Sequence, residues 1–323
     1  MSGRYEIEMK IDNSVKAQLN RMPTIFTEYY YSLLGSGKSY NTAKEYISRV
    51  AKFIQYIYND NCPEDFYLNI KPSDINRYIS SLRTMRSKRC GQKISDSYMT
   101  VSWSALNSFF DFLVPDYINK NPVANTSRPK MKDNPDVTFL TEDEVALIIK
   151  NAQDNANKRM VNRDICILKL GFSTGLRVSA IAQIDIGDVD FKNNRIRVTE
   201  KGDKDYFVFI SDNMKEQILM WLEDRRRYFS RATTDALFVS QECNRISIIS
   251  IHTMIKKYSK IIDKNVTPHV MRHTCATHLY EKTGDIYLCA NQLHHANVST
   301  TQRYAEISID RQREATNILS KLI

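Results

Sequence analysis

The residues that could do chemistry gather in the last quarter of the chain. Val266 to Ala305 carries His269, Arg272, the adjacent pair His294 and His295, and Tyr304 just beyond a Ser-Thr-Thr-Gln-Arg run. An imidazole three residues before an arginine shares a helix face with it, so the two side chains converge on one point. A guanidinium fork beside an imidazole suits a phosphate oxygen, which accepts charged, paired donors. A lone His-x-x-Arg says little. A second arginine and a lysine upstream, in a fixed order, say much more.

Those partners are present. Ser173-Thr174-Gly175-Leu176-Arg177-Val178-Ser179 sets a glycine turn before an arginine at a helix start. Arg195 to Thr199 and Tyr206 to Ile210 alternate polar and apolar residues as strands do, and Glu200 to Asp205 between them is a turn. The pair predicts a β-hairpin with Lys201 at its tip. Together Arg177, Lys201, His269, Arg272, His295 and Tyr304 resemble the active-site set of the tyrosine recombinases, the phage-integrase and Xer-like family. The resemblance runs from near Tyr40 to the end. Its specificity lies in the order, the Thr267-Pro268-His269-x-x-Arg272-His273 context and the Ser-Thr-Thr approach to Tyr304.

The resemblance implies a site-specific DNA recombinase that cleaves and rejoins DNA through a 3′-phosphotyrosine intermediate. Integration or excision of a mobile element, inversion and resolution are all open. Tyr304 would be the nucleophile; its free pKa of about 10 means that it must lose a proton to attack. Arg177 and Arg272 would hold the non-bridging oxygens of the five-coordinate phosphorus, an electrostatic task that calls for no metal and no cofactor. His269 would accept a proton or orient the phosphate, and His295 would donate a hydrogen bond to it. Lys201 would protonate the departing 5′ oxygen. Three positions depart from the family pattern. Ala180 replaces a common acidic residue, and His294 replaces a glycine, so two adjacent imidazoles compete for one role and register favours His295. Tyr206 and Phe209 replace a basic residue and a proline.

The 323 residues suffice for two domains with their own cores. Lysine and arginine total 46 against 37 acidic residues, a net charge of +9 that favours a polyanionic partner. The six cysteines show no Cys-x-x-Cys pair, as expected of idle thiols in a reducing compartment. His273, Cys275 and His278 look like metal ligands, but no second ligand pair at zinc spacing accompanies them. Met1 to Asn20 lacks the apolar core of a signal peptide, and no run is apolar enough to span a bilayer. The expected location is cytoplasmic, at the nucleoid.

The elements that must position this chemistry read as mainly α with a small β-hairpin. Residues 1–22 are polar and aperiodic, an uncertain arm or short strand. Residues 23–126 read as a helical, core-binding DNA-binding domain. Ala43, Tyr46, Ile47, Val50, Phe53, Ile54 and Ile57 share one helix face, Pro72 opens a second helix, and Ser97 to Val114 forms a third with Val101, Ala105, Phe109 and Leu113 inward. Candidate DNA contacts are Lys44, the basic loop Arg86, Lys88, Arg89 and Lys93, and Lys204 beside the hairpin turn. Residues 127–138 read as a linker. Residues 139–323 form the catalytic domain, opened by a Thr141–Glu144 capping box. The run Arg225-Arg226-Arg227 reads as a solvated helix end. The tail ends on Ile318, Leu319, Leu322 and Ile323, an apolar face that must dock. By the resemblance the two domains clamp a double-stranded recombination site, and the tail links copies into a dimer on one site and a tetramer in synapsis.

Overall fold

Ser39 and Ser95 start two helices of the N-terminal half, each accepting a bond from a backbone N–H of the first turn. Such caps satisfy donors that the helix cannot, worth about 1 kcal/mol each. The computed structural model describes residues 2–59, 61–86, 91, 93–130, 138–200 and 204–294. The chain divides into two units, Met1–Pro135 and Asp136–Ile323. That division falls within the stretch expected as a linker.

The first unit contains α1 (Ser2–Leu19), α2 (Ile25–Gly35), α3 (Tyr40–Tyr58), α4 (Pro72–Thr84) and α5 (Asp96–Leu113). Ala43, Ile47, Val50, Phe53 and Ile54 bury one stripe of α3 against Ala105, Leu106, Phe109 and Phe110 of α5 and its neighbours. Phe26, Phe66 and Phe109 stack at the centre, with centroids 5.5 to 6.0 Å apart. Val101, expected inward, is only half-buried. Residues 1–22 differ most from expectation. They contribute a helix, α1, in place of an arm or strand, because Ile11, Val15 and Leu19 repeat every four residues and reach the core. Asp12 is buried beside them and accepts from the Tyr30 hydroxyl at 2.8 Å, with Lys16 at 2.7 Å. A stripe three residues wide in a polar segment has little periodic signal of its own.

The second unit contains α6 (Glu142–Asn155), α7 (Val161–Thr174), α8 (Val178–Gln183), β1 (Val189–Asp190), β2 (Arg195–Glu200), β3 (Lys204–Phe209), α9 (Asp212–Tyr228), α10 (Ile248–Tyr258), α11 (Pro268–Thr283) and α12 (Ile286–Gln292). The capping box of α6 forms as expected, Thr141 accepting from Glu144 N–H and Glu144 from Thr141 N–H. The three strands make one antiparallel sheet in the order β1-β2-β3, with Val198 opposite Tyr206 and Glu200 opposite Lys204. Ile196, Val198 and Val208 face the core, while Phe207 and Phe209 face outward. Gly171 brings α7 against α11: a Cβ there would lie 2.5 Å from Met271 Cε. Arg225 is not a solvated helix end. It donates to the Thr234 carbonyl at 2.7 Å, which ties α9 to the following loop. Among the described residues, no helix is long and apolar enough to cross a membrane.

Candidate active site

The site is built where α7 ends, α11 begins and α12 ends. Thr174 donates back to the Leu170 carbonyl, and Gly175 then terminates α7 in the left-handed conformation, φ +65°. Only glycine adopts that geometry without strain. It is also the only residue that fits. A Cβ on Gly175 would meet Leu293 Cδ2 at 2.6 Å and Cys275 Sγ at 3.3 Å. Two residues later Arg177, in extended backbone, caps α8, and its side chain is exposed.

Thr267 caps α11 by accepting from Val270 N–H, and Pro268 takes the first helical turn, where its missing donor costs nothing. His269 is exposed and Arg272, one turn on, is 7% exposed. A buried guanidinium is costly unless hydrogen-bonded. Arg272 donates Nη1–H to the Gly175 carbonyl at 2.7 Å and Nη2–H to the Leu293 carbonyl at 2.5 Å. Both acceptors are neutral, so neither bond removes the cation's charge. One side chain therefore fastens the segment leading to Arg177 and the segment leading to His295.

That second segment is equally determined. Gly284 ends α11, and Asp285 caps α12 by accepting from Tyr287 and Leu288 N–H. Cys289, Ala290 and Leu293 are buried. Cys275 lies beneath the site, and burial pushes its thiol up to about 12, so at neutral pH it is a protonated packing group. His294 has φ +49°, and its ring lies 3.5 Å, centroid to centroid, from that of Tyr206 on β3. Ala180, where an acidic residue was the family expectation, is buried in the apolar core.

Of the six expected active-site residues, the described structure thus contains Arg177, His269 and Arg272. Lys201, His295 and Tyr304 lie outside the described residues, as do Lys88, Arg89 and the tail residues Ile318, Leu319, Leu322 and Ile323. The described residues reach Glu200 and His294, each next in sequence to one of them. Among the candidate DNA contacts, Lys44 on α3 points its ammonium toward Ser14 of α1, 3.4 Å away. Arg86 and Lys93 pair across the base of their loop, and Lys204 begins β3. The sequence reading missed Gly175 as a packing hub and the Tyr206–His294 contact. The glycine had a signal, since it breaks a helix just before an arginine; the ring contact had none.

Residues 138–311 match the family model described as the phage integrase family. The chain belongs to that family. It is a tyrosine recombinase, and tyrosine recombinases are DNA cleaving–rejoining enzymes. Among its relatives, the tyrosine recombinase XerS of Streptococcus gordonii is 26% identical over 358 residues, covering 98% of this chain and 100% of the relative. XerS of Streptococcus pneumoniae is 27% identical over 341 residues, covering 92% and 96%. The fold is shared with the XerH site-specific recombinase bound to palindromic difH substrate (TM-score 0.68, 20% identity, 87% of this chain and 80% of that one). It is shared too with a lambda integrase dimer bound to a COC′ core site (TM-score 0.65, 18% identity, 88% and 94%).

Proposed function

We propose that this recombinase cuts DNA with Tyr304 and that Arg177, Lys201, His269, Arg272 and His295 complete its active site. The observation that carries this reading is the pair of hydrogen bonds that Arg272 donates to the Gly175 and Leu293 carbonyls, which draws three distant segments of the family motif to one place. The Tyr304 oxygen attacks the scissile phosphorus while His269 assists removal of its proton. Arg177 and Arg272 neutralise the non-bridging oxygens as charge builds, and His295 donates to one of them. The bond to the 5′ oxygen breaks, and Lys201 supplies its proton. The 3′-phosphotyrosine link conserves the energy of the broken bond, so a 5′ hydroxyl from another strand can displace the tyrosine without ATP. That reversal is strand exchange.

The partner is a double-stranded recombination site, gripped by the helical unit of residues 23–126 and the catalytic unit of residues 139–323. Two copies act on each site and four in synapsis, joined through the apolar tail, in the cytoplasm where the nucleoid is accessible. Lys44, Arg86, Lys88, Arg89, Lys93 and Lys204 contribute phosphate contacts, so affinity falls steeply with salt. The test uses nicked suicide duplexes tiled from DNA flanking the gene, resolved on a denaturing gel. A covalent adduct in the wild type, lost in Tyr304→Phe with DNA binding kept, is the expected result. An adduct that survives this change overturns Tyr304 as nucleophile.

A further inference from the structure

We propose that Tyr206 and His294 are a positioning pair that seats the Lys201 hairpin against the segment leading to His295. The proposal rests on the reading of Lys201 as general acid. His294 adopts φ +49°, a conformation that side chains other than glycine enter at a cost and that histidine tolerates better than most. Its position is fixed from two sides. His294 N–H donates to the Asn291 carbonyl at 3.0 Å, and the preceding residue, Leu293, gives its carbonyl to Arg272 and lies against Gly175. The left-handed turn carries the imidazole onto the Tyr206 ring, with centroids 3.5 Å apart and planes 32° apart. The two rings meet in a close, tilted contact, so it depends on the placement of both groups.

Tyr206 is well placed to pass this position on. It pairs with Val198 and shares the inward face of the hairpin with Ile196 and Val208. It stands two residues after Lys204, which pairs with Glu200 at the open end of the described ladder, and Lys201 follows Glu200 in the chain. The contact therefore sits two residue pairs from the Glu200–Lys204 end of the ladder, and Lys201 is next in sequence after Glu200. Its other member, His294, stands in sequence between the Arg272 anchor Leu293 and His295. Neither ring touches the reacting phosphate in this scheme. Each acts through the group beyond it, holding the acid of the leaving oxygen in register with the cation that binds the phosphate.

A general acid that has lost its position impairs departure of an oxygen but not of a sulfur, because a thiolate leaves without a proton. Single-turnover cleavage is compared on two nicked suicide duplexes, one ordinary and one with sulfur replacing the bridging 5′ oxygen. His294→Gly removes the ring and suits the left-handed backbone, and Tyr206→Leu removes the other ring. Each is expected to slow the oxygen duplex about tenfold or more while staying within about twofold of wild type on the sulfur duplex. Tyr206→Phe, which keeps the ring, should restore the wild-type ratio between duplexes. The double variant should be no slower than the slower single one, as for residues acting through one contact.

Equal slowing on both duplexes, or additive losses in the double variant, would overturn the pair, as would wild-type rates in both single variants. Lys201→Ala, run on the same two duplexes, separates this from the reading beneath it. Sulfur rescue of Lys201→Ala without rescue of the ring variants sinks the pair alone. Failure of sulfur to rescue Lys201→Ala sinks the general-acid assignment, and the pair with it.

Discussion

Two arginines of the catalytic unit are equally buried and differently held. Arg163 is 8% exposed and Arg272 is 7% exposed. Arg163 donates through Nε and Nη2 to the Asp164 carboxylate at 2.9 and 2.6 Å, and Tyr258 donates to the other carboxylate oxygen at 2.6 Å. Its charge is cancelled inside the protein. Its third bond, to the Val239 carbonyl, then pins the loop before α10. Arg272 instead meets the carbonyls of Gly175 and Leu293, which orient the guanidinium and leave its charge intact through those bonds. The difference lies in partner chemistry and not in burial. A buried arginine on a carboxylate is architecture; in the function proposed above, Arg272 is the one that meets the anion.

That contrast breaks most readily at its functional end. Arg272→Lys keeps a cation but loses the fork, and single-turnover cleavage should fall roughly 100- to 1000-fold, the cost of removing one preorganised donor from a charged transition state. Arg163→Met should leave the cleavage rate per folded molecule unchanged. It strands a buried carboxylate, so urea unfolding should show a loss of about 3–5 kcal/mol. If the two substitutions slow cleavage alike, the distinction between the arginines collapses. Replacing the whole network (Arg163→Met, Asp164→Leu, Tyr258→Phe) should recover most of that stability, because a buried ion pair contributes little over apolar packing.

Gly175→Ala sharpens the same comparison from the backbone side. It places a methyl group against Leu293 and strains φ +65°, so stability should drop by about 1–3 kcal/mol. Cleavage should fall as well, since Leu293 supplies an acceptor of Arg272. The smallest effect is expected in the helical unit. Burial raises the Asp12 carboxyl, but the bonds from Lys16 and Tyr30 outweigh it and hold the group below its ordinary value of 3.8. A depressed carboxylate stabilises fully above that ordinary value, and its contribution disappears as pH falls through the lowered one. Melting curves below about pH 4 should therefore fall more steeply for wild type than for Asp12→Asn.

Much of this molecule is written in short spacings. The His269-x-x-Arg272 face, the Thr141–Glu144 box, the inward stripe of α3, the glycine before Arg177 and the paired alternations of β2 and β3 each depend on neighbours within a turn or a hairpin. Periodicity and capping act over such distances, so the sequence by itself determined those elements, the hairpin and the family motif. It did not reveal that α1 is a helix, for its three-residue apolar stripe gains meaning only when Tyr30 and the core receive it.

Nor could it reveal how the site is held. Arg272 reaches a carbonyl 97 residues away and another 21 residues away, and Tyr206 meets His294 across the whole of α9 to α12. Ala180 and Cys275 likewise read as odd residues in a motif until burial makes them packing groups. Such contacts form between backbone and side-chain groups that carry no mutual pattern along the chain. Only close packing of the second unit brings them within hydrogen-bond or ring distance, and there the tertiary structure decided that Arg163 is held on a carboxylate and Arg272 on two carbonyls.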